Sequence, residues 1–186
     1  VVEEVLPAAG YDTLVLLIRY QFPFQSHPGV ARANALAPAQ VREIAAACRR
    51  QRIRLIPKMN LFAHQSGRLN GPKDGILHGY KEGDFPNMMD GLLQAYPEFN
   101  ETPEVTLPDY TYSICLSNED AARIVCELMD ELLEAFEADG MHIGCDEAFD
   151  LGVCPRCKGK ASAKLFGDWI TMLHDHLASR GAQTLV

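Results

Sequence analysis

The sequence has a single tryptophan in 186 residues, and no apolar run approaches the roughly 20 residues that a membrane-spanning helix needs. Positive charge is also in short supply: 17 Lys and Arg stand against 25 Asp and Glu, a formal net charge of −8. Phosphate-rich surfaces are held mainly by basic side chains, so the expected partners include neither nucleic acid nor a membrane. No Gly-rich phosphate loop follows the first apolar run, Leu14-Val15-Leu16-Leu17-Ile18, which disfavours a nucleotide-binding Rossmann domain. No repeat at solenoid periods is evident. What is there fits a soluble globular domain with a sizeable core: 47% apolar residues and a mean hydropathy of −0.09. Residue 1 is Val rather than Met, and Gln183-Thr184-Leu185-Val186 reads as a strand just starting, so the chain is expected to be a piece of something longer.

Taken in order, the chain alternates. Val1 to Gly10 reads as the end of a helix closed by Pro7 and Gly10. The continuous run Leu14 to Ile18 predicts a parallel strand buried on both faces, leaving through Arg19-Tyr20-Gln21 and Phe22-Pro23-Phe24. Pro38 then sits in the first turn of a helix with Val41, Ile44, Ala45 and Cys48 on one face. Arg49, Arg50 and Arg52 suit its negative end. A second strand from about Arg54 to Asn60 leads into Leu61-Phe62-Ala63-His64, completing a βαβ unit that is right-handed almost by rule.

Residues 65–116 break the rhythm with closely spaced Gly and Pro and with six aromatics, Tyr80, Phe85, Tyr96, Phe99, Tyr110 and Tyr112. One short helix is predicted within Met88 to Tyr96. A connection this long after a strand is expected to form a wall or lid over the C-terminal face of a sheet, the alternative being an insertion that only pads the surface. Ser117 reads as the cap of a clear helix in which Ile124, Val125, Leu128, Met129, Leu132, Leu133 and Phe136 recur at helical spacing. A short strand follows from Gly140. Lys160 to Arg180 reads as another helix with Leu165, Trp169, Met172, Leu173 and Leu177 inward. His174 and His176 point to different sides and make a poor ligand pair. This order predicts an α/β fold of the (β/α)8 TIM-barrel type. A whole barrel takes about 250 residues, so it is present as a partial barrel, roughly half. A doubly wound sheet is the runner-up.

Six cysteines are present. Cys48, Cys126 and Cys145 read as small buried hydrophobes, and Cys115 has no assigned role. Cys154-Pro155-Arg156-Cys157 resembles a metal knuckle, but a structural zinc takes four ligands and no second Cys pair is spaced to match. Zinc on Cys154 and Cys157, a local disulfide and plain thiols therefore all stay open. The unpaired-looking thiols lean towards a reducing, cytoplasmic compartment.

Gly140-Met141-His142-Ile143-Gly144-Cys145-Asp146-Glu147 carries the chemistry. With a side-chain period of two, His142, Gly144 and Asp146 would share one strand face, and Ile143 and Cys145 the apolar other. Acids at a strand's C-terminal tip stand where α/β barrels keep their active sites. The bland alternative is a helix-capping Asp146 beside a solvated Glu147.

His142-Ile143-Gly144-Cys145-Asp146-Glu147 resembles the His-x-Gly-Gly-Asp-Glu signature of family 20 glycoside hydrolases, the β-N-acetylhexosaminidases, and in particular the hexosaminidase D-like branch with Cys before the acids. The likeness extends to the Leu14 to Phe24 strand, to Ile56-Pro57 leading into His64, and to Ala148 to Gly152. Leu93 to Phe99, Glu101-Thr102-Pro103 and the Cys154 to Cys157 turn are similar to a less studied bacterial branch. The resemblance implies that residues 1–186 form a partial family 20 catalytic domain with a long active-site-face loop at 65–116. It implies retaining, substrate-assisted hydrolysis of terminal N-acetylglucosamine or N-acetylgalactosamine from glycans. No cofactor is needed. The sugar's 2-acetamido oxygen would be the nucleophile. Asp146 would hold its N–H, and Glu147 would act as acid and then base, with a pKa raised by burial and by its ionised neighbour. His64, His142 and Arg19 become candidate substrate-binding residues. Relatives commonly carry an acidic residue where this chain has Arg19, and the stacking Trp they place on later strands has no counterpart in Trp169, which falls on a helix. Two other functions compete: a catalytically inactive carbohydrate-binding relative, and a metal-dependent hydrolase using His142, Asp146 and Glu147. Strand alternation argues against the last, because adjacent acids do not converge naturally on one ion. The fragment alone is not expected to be necessarily active, and its oligomeric state is not legible.

Overall fold

The computed structural model describes residues 1–68, 87–105 and 112–186. A short helix α1 (Val5–Ala8) precedes strand β1 (Thr13–Leu17), helix α2 (Pro38–Arg50) and strand β2 (Arg54–Lys58). A short antiparallel pair follows, β3 (Ser66–Arg68) with β4 (Asn87–Met89), then helix α3 (Gly91–Ala95). The second half runs α4 (Glu119–Phe136), β5 (Gly140–His142), α5 (Ser162–Ser179) and β6 (Gln183–Leu185).

Strands β1, β2, β5 and β6 make one four-stranded parallel sheet in the order of the chain. The order never doubles back as it does at the switch point of a doubly wound sheet. Helices α2, α4 and α5 pack against this sheet. Consecutive parallel strands with crossover helices are the arc of a (β/α)8 barrel, so the chain is a partial TIM barrel. Among the described residues, no helix is long and apolar enough to cross a membrane.

The core lies between the sheet and its helices. The predicted α4 stripe is buried throughout: Ile124, Val125, Leu128, Met129, Leu132, Leu133 and Phe136 meet Leu55, Met141 and Ile143 of the sheet side. On α5, Leu165, Trp169, Leu173 and Leu177 are buried, while Met172 is half-buried with its sulfur 3.6 Å from that of Cys126. The Trp169 indole donates to the Leu61 carbonyl at 3.1 Å, satisfying its one polar atom inside the core. His174 and His176 diverge, to Thr184 and Asp130 respectively.

Several expectations need correction. The β1 run is not buried on both faces, because Thr13, Val15 and Leu17 are exposed while Leu14 and Leu16 pack on the core. β1 has β2 as its neighbour on one side and stands at the sheet edge. Ser117 does not cap α4. Asn118 does, its side-chain oxygen accepting from the N–H groups of Asp120 at 3.0 Å and Ala121 at 3.2 Å. Both residues can cap, and a one-residue offset in the chain's entry decides which one does. The segment 88–96 holds α3, but its start is taken by β4. Strand β5 ends at His142, so the alternation that placed Asp146 on the face of His142 does not reach Asp146. The β2–β5 pairing starts at Lys58 and continues as Met59 and Leu61 N–H groups donate to the His142 and Ile143 carbonyls. Pro57, within β2, has no N–H to donate, which removes one bond from the ladder.

Candidate active site

The C-terminal exits of three successive strands meet at one end of the sheet, and each carries a non-glycine residue in the left-handed region: Arg19 (φ 47°), His64 (φ 56°) and Glu147 (φ 52°). Among the described residues two other non-glycines share this conformation, Arg52 and Glu137, and both lie at ordinary helix C-terminal ends. Away from such caps, a side chain held at positive φ costs about 1–3 kcal/mol, and that cost concentrates where a site must aim particular groups. Here the three residues so held are all ones the sequence singles out.

His64 stands between the two acids. Its Nε2 lies 3.6 Å from an Asp146 oxygen and 3.2 Å from a Glu147 oxygen. The carboxylates are open to solvent, with side chains 58% and 61% exposed, and the His64 side chain is 27% exposed. In this arc the acids are not enclosed, contrary to the partial burial expected for Glu147. The left-handed turn at Gly144 redirects the chain just after β5 so that both acids swing toward His64. Gly144 is needed there twice over, because a Cβ would lie 2.8 Å from the Asn60 Oδ1 in addition to the strain of its φ of 51°.

His142 braces this turn: its Nδ1 accepts the Gly144 N–H at 3.1 Å. Burial, and then the nearby positive charge of Lys58, hold its pKa below the ordinary value, against the opposing pull of Asp146. A neutral ring with an acceptor Nδ1 is what the hydrogen bond requires. Among the described residues, His142 does not gather with Asp146 and Glu147 into a set able to hold an ion.

Arg19 has a job within the fold. Its Nη2 donates to the carbonyls of His64 and Ser66, each at 2.7 Å, tying the first strand exit to the second. Burial, followed by the neighbouring Arg32, lowers its pKa from the usual arginine range. Beneath it runs a buried polar cluster that the sequence did not reveal. Tyr20 donates to Gln65, whose side-chain amide donates to the carbonyls of Asn60 (2.7 Å) and Ala63 (3.0 Å). Asp90 accepts from Arg32. Gly91, at φ 46°, leaves the space in which the Tyr20 ring lies. Gln65, Asp90 and Tyr20 are far apart in sequence and carry no local motif, so only the fold brings them together.

The cysteine turn also acquires neighbours. Cys154 and Cys157 are joined by Cys115 and by Glu101, all four buried. The sequence offered no second Cys pair; the missing neighbours come one each from two distant positions, which spacing rules cannot detect. Of the other cysteines, Cys48 and Cys145 are buried and Cys126 is half-buried. The expected long wall at 65–116 falls partly outside the described residues, including Tyr80, Phe85 and Tyr110. Two grooves among the described residues, about 650 and 790 Å³, lie along the helices and include none of His64, Asp146 or Glu147.

Comparison with known proteins agrees with this architecture. Residues 21–185 match the catalytic domain of glycosyl hydrolase family 20. The chain belongs to that family. Its structure is similar to Flavobacterium johnsoniae chitobiase, with a TM-score of 0.72 and 19% identity over 96% of this chain and 27% of that one. It is similar to the Vibrio harveyi exo-β-N-acetylglucosaminidase solved with N-acetylglucosamine, with a TM-score of 0.66 and 13% identity over 97% of this chain and 31% of that one. A hypothetical protein from Ruminiclostridium thermocellum matches at a TM-score of 0.62 and 11% identity, over 97% of this chain and 85% of that one. No curated protein matches the sequence. The chain spans between 27% and 35% of the chitobiase and of the hexosaminidases from Bacteroides fragilis and Streptomyces coelicolor, and at such identities the likeness is one of fold.

Proposed function

We propose that this chain carries the acid–base side of a retaining, substrate-assisted β-N-acetylhexosaminidase site. The observation that carries the reading is the convergence of Asp146 and Glu147 on His64 at the C-terminal end of a parallel barrel arc in a family 20 domain. Glu147 protonates the leaving glycosidic oxygen. The 2-acetamido oxygen of the substrate closes on the anomeric carbon as an oxazolinium, and Asp146 accepts the acetamido N–H and offsets the positive charge on that ring. Glu147 then takes a proton from the water that opens it. His64, whose Nε2 reaches both carboxylates, orients the adjacent acids. Arg19 holds the carbonyl of His64 and so acts as a positioning residue; His142 does the same for the turn leading to the acids. The substrates are glycans ending in N-acetylglucosamine or N-acetylgalactosamine.

The test is hydrolysis of a chromogenic N-acetylglucosaminide by the full-length protein. Glu147→Gln should lower kcat by about 10²–10⁴-fold, the usual contribution of a positioned acid–base group. Asp146→Asn should cost the 2-acetamido substrate far more than it alters sugar binding. Equal cleavage of the corresponding 2-hydroxy glycoside would sink substrate assistance. Retained sugar binding without any cleavage would identify a carbohydrate-binding relative instead.

A further inference from the structure

The buried acid Glu101 is the most conspicuous group that the proposed hydrolysis does not use. Its side chain is fully buried, at 0% exposure. One oxygen, Oε1, accepts from the backbone N–H groups of Gly152 (2.7 Å), Val153 (2.8 Å) and Cys154 (3.3 Å). The other, Oε2, is buried and has no hydrogen-bond partner. A buried carboxylate oxygen without a donor is costly unless a cation stands opposite it.

Three sulfurs complete the surroundings. Cys115, Cys154 and Cys157 are 1%, 4% and 0% exposed, and a carboxylate oxygen of Glu101 lies with their sulfurs in a group whose members are all within 4.8 Å of one another. The Cys115 sulfur is 3.2 Å from that of Cys154 and 3.6 Å from that of Cys157. A disulfide would require about 2.05 Å. Tetrahedral zinc with Zn–S bonds of about 2.3 Å separates its sulfurs by about 3.8 Å, close to what is present. The turn has the local features of a knuckle as well. The Cys157 and Lys158 N–H groups both donate to the Cys154 carbonyl, at 3.0 and 2.8 Å, closing the turn. Lys160 reaches Ser117, which the Cys157 thiol also touches, so positive charge stands close by.

We propose that Glu101, Cys115, Cys154 and Cys157 form a structural zinc site. Three soft thiolates and one carboxylate at tetrahedral spacing suit zinc, and a fully occupied protein ligand set leaves no open position for catalysis. A single disulfide would leave one thiol over and Glu101 Oε2 still without a partner, whereas one divalent cation satisfies all four groups. The site joins the segment after α3 to the loop that follows the candidate acids, with Cys154 seven residues beyond Glu147. Zinc would thus hold that loop in place without touching the substrate. This inference does not rest on the hydrolase reading, because metal content is measured without reference to activity.

The experiment is metal analysis of the full-length protein purified without added metal or chelator, with thiol and disulfide mapping by mass spectrometry in parallel. About one equivalent of zinc per chain is expected, falling to background in Cys154→Ser and Glu101→Ala, and unchanged in the control Cys48→Ser. If a variant fails to fold, the wild-type protein still decides. Replacing its metal with cobalt should produce thiolate-to-metal charge-transfer bands and intense tetrahedral d–d bands. Wild-type protein that contains no zinc and gives no such bands, or in which two of the three cysteines are disulfide-bonded, overturns the proposal.

Discussion

Protonating His142 would remove the acceptor for the Gly144 N–H and so loosen the turn that delivers Asp146 and Glu147. Its folded pKa is depressed below the ordinary 6.5, so the unfolded chain binds the proton more readily. The stability this residue contributes is therefore fully present above pH 6.5 and is lost as the pH falls through the lowered folded value. Denaturation midpoints measured on either side of that pH should show the decline, and His142→Gln should flatten it. Gly144 offers a second check. Gly144→Ala has to accept a left-handed backbone and a close approach to Asn60, so a loss of about 1–3 kcal/mol is expected in urea denaturation. At this scale the acids themselves were legible, because a signature of adjacent residues survives in sequence. That His64 sits between them was not, since its position depends on where β2 ends and on the carbonyl clamp from Arg19.

Among the elements, α4 is the best determined by local rules. Its apolar stripe, acidic first turn and following left-handed residue agree with one another and with the buried face observed. Leu128→Ala removes a fully buried side chain from the centre of that stripe and should cost about 2–5 kcal/mol by denaturant unfolding. Asn118→Ala should cost about 1 kcal/mol through the lost cap, a difference readable in the same experiment. Ser117, the cap expected from sequence, should leave the α4 terminus intact when changed to Ala. The strands were less legible in detail. Short apolar runs mark that a strand exists, but exposure depends on neighbours: β1 alternates because the core covers only the face of Leu14 and Leu16, and β5 stops at His142 because Gly144 turns left-handed.

For the molecule as a whole, the arc leaves β1 with exposed Val15 (43%) and Leu17 (52%) and with one side unpaired in this sheet. Such a surface favours association with another chain. Prepared by itself, this chain is expected to self-associate in sedimentation experiments as its concentration rises, and Val15→Lys with Leu17→Lys to weaken that association. An unchanged sedimentation profile in the double variant would show that the edge does not mediate it. The buried Trp169 is the only tryptophan in the sequence, so its emission follows the integrity of the helix–sheet core during these measurements.

By itself the sequence determined the alternation of helices and strands, the apolar faces of α2, α4 and α5, the barrel class and the pair of acids at a strand exit. Each of these is written in residues close together along the chain, at the period of a helix or strand or in one short signature. The tertiary structure alone decided the rest. It bent the chain at Gly144, set His64 between Asp146 and Glu147, clamped that histidine with Arg19, and brought Glu101 and Cys115 to the cysteine turn. Those groups come from separate strands and loops, and the distances between them follow from how the sheet twists and where each strand stops. Local spacing carries no record of either.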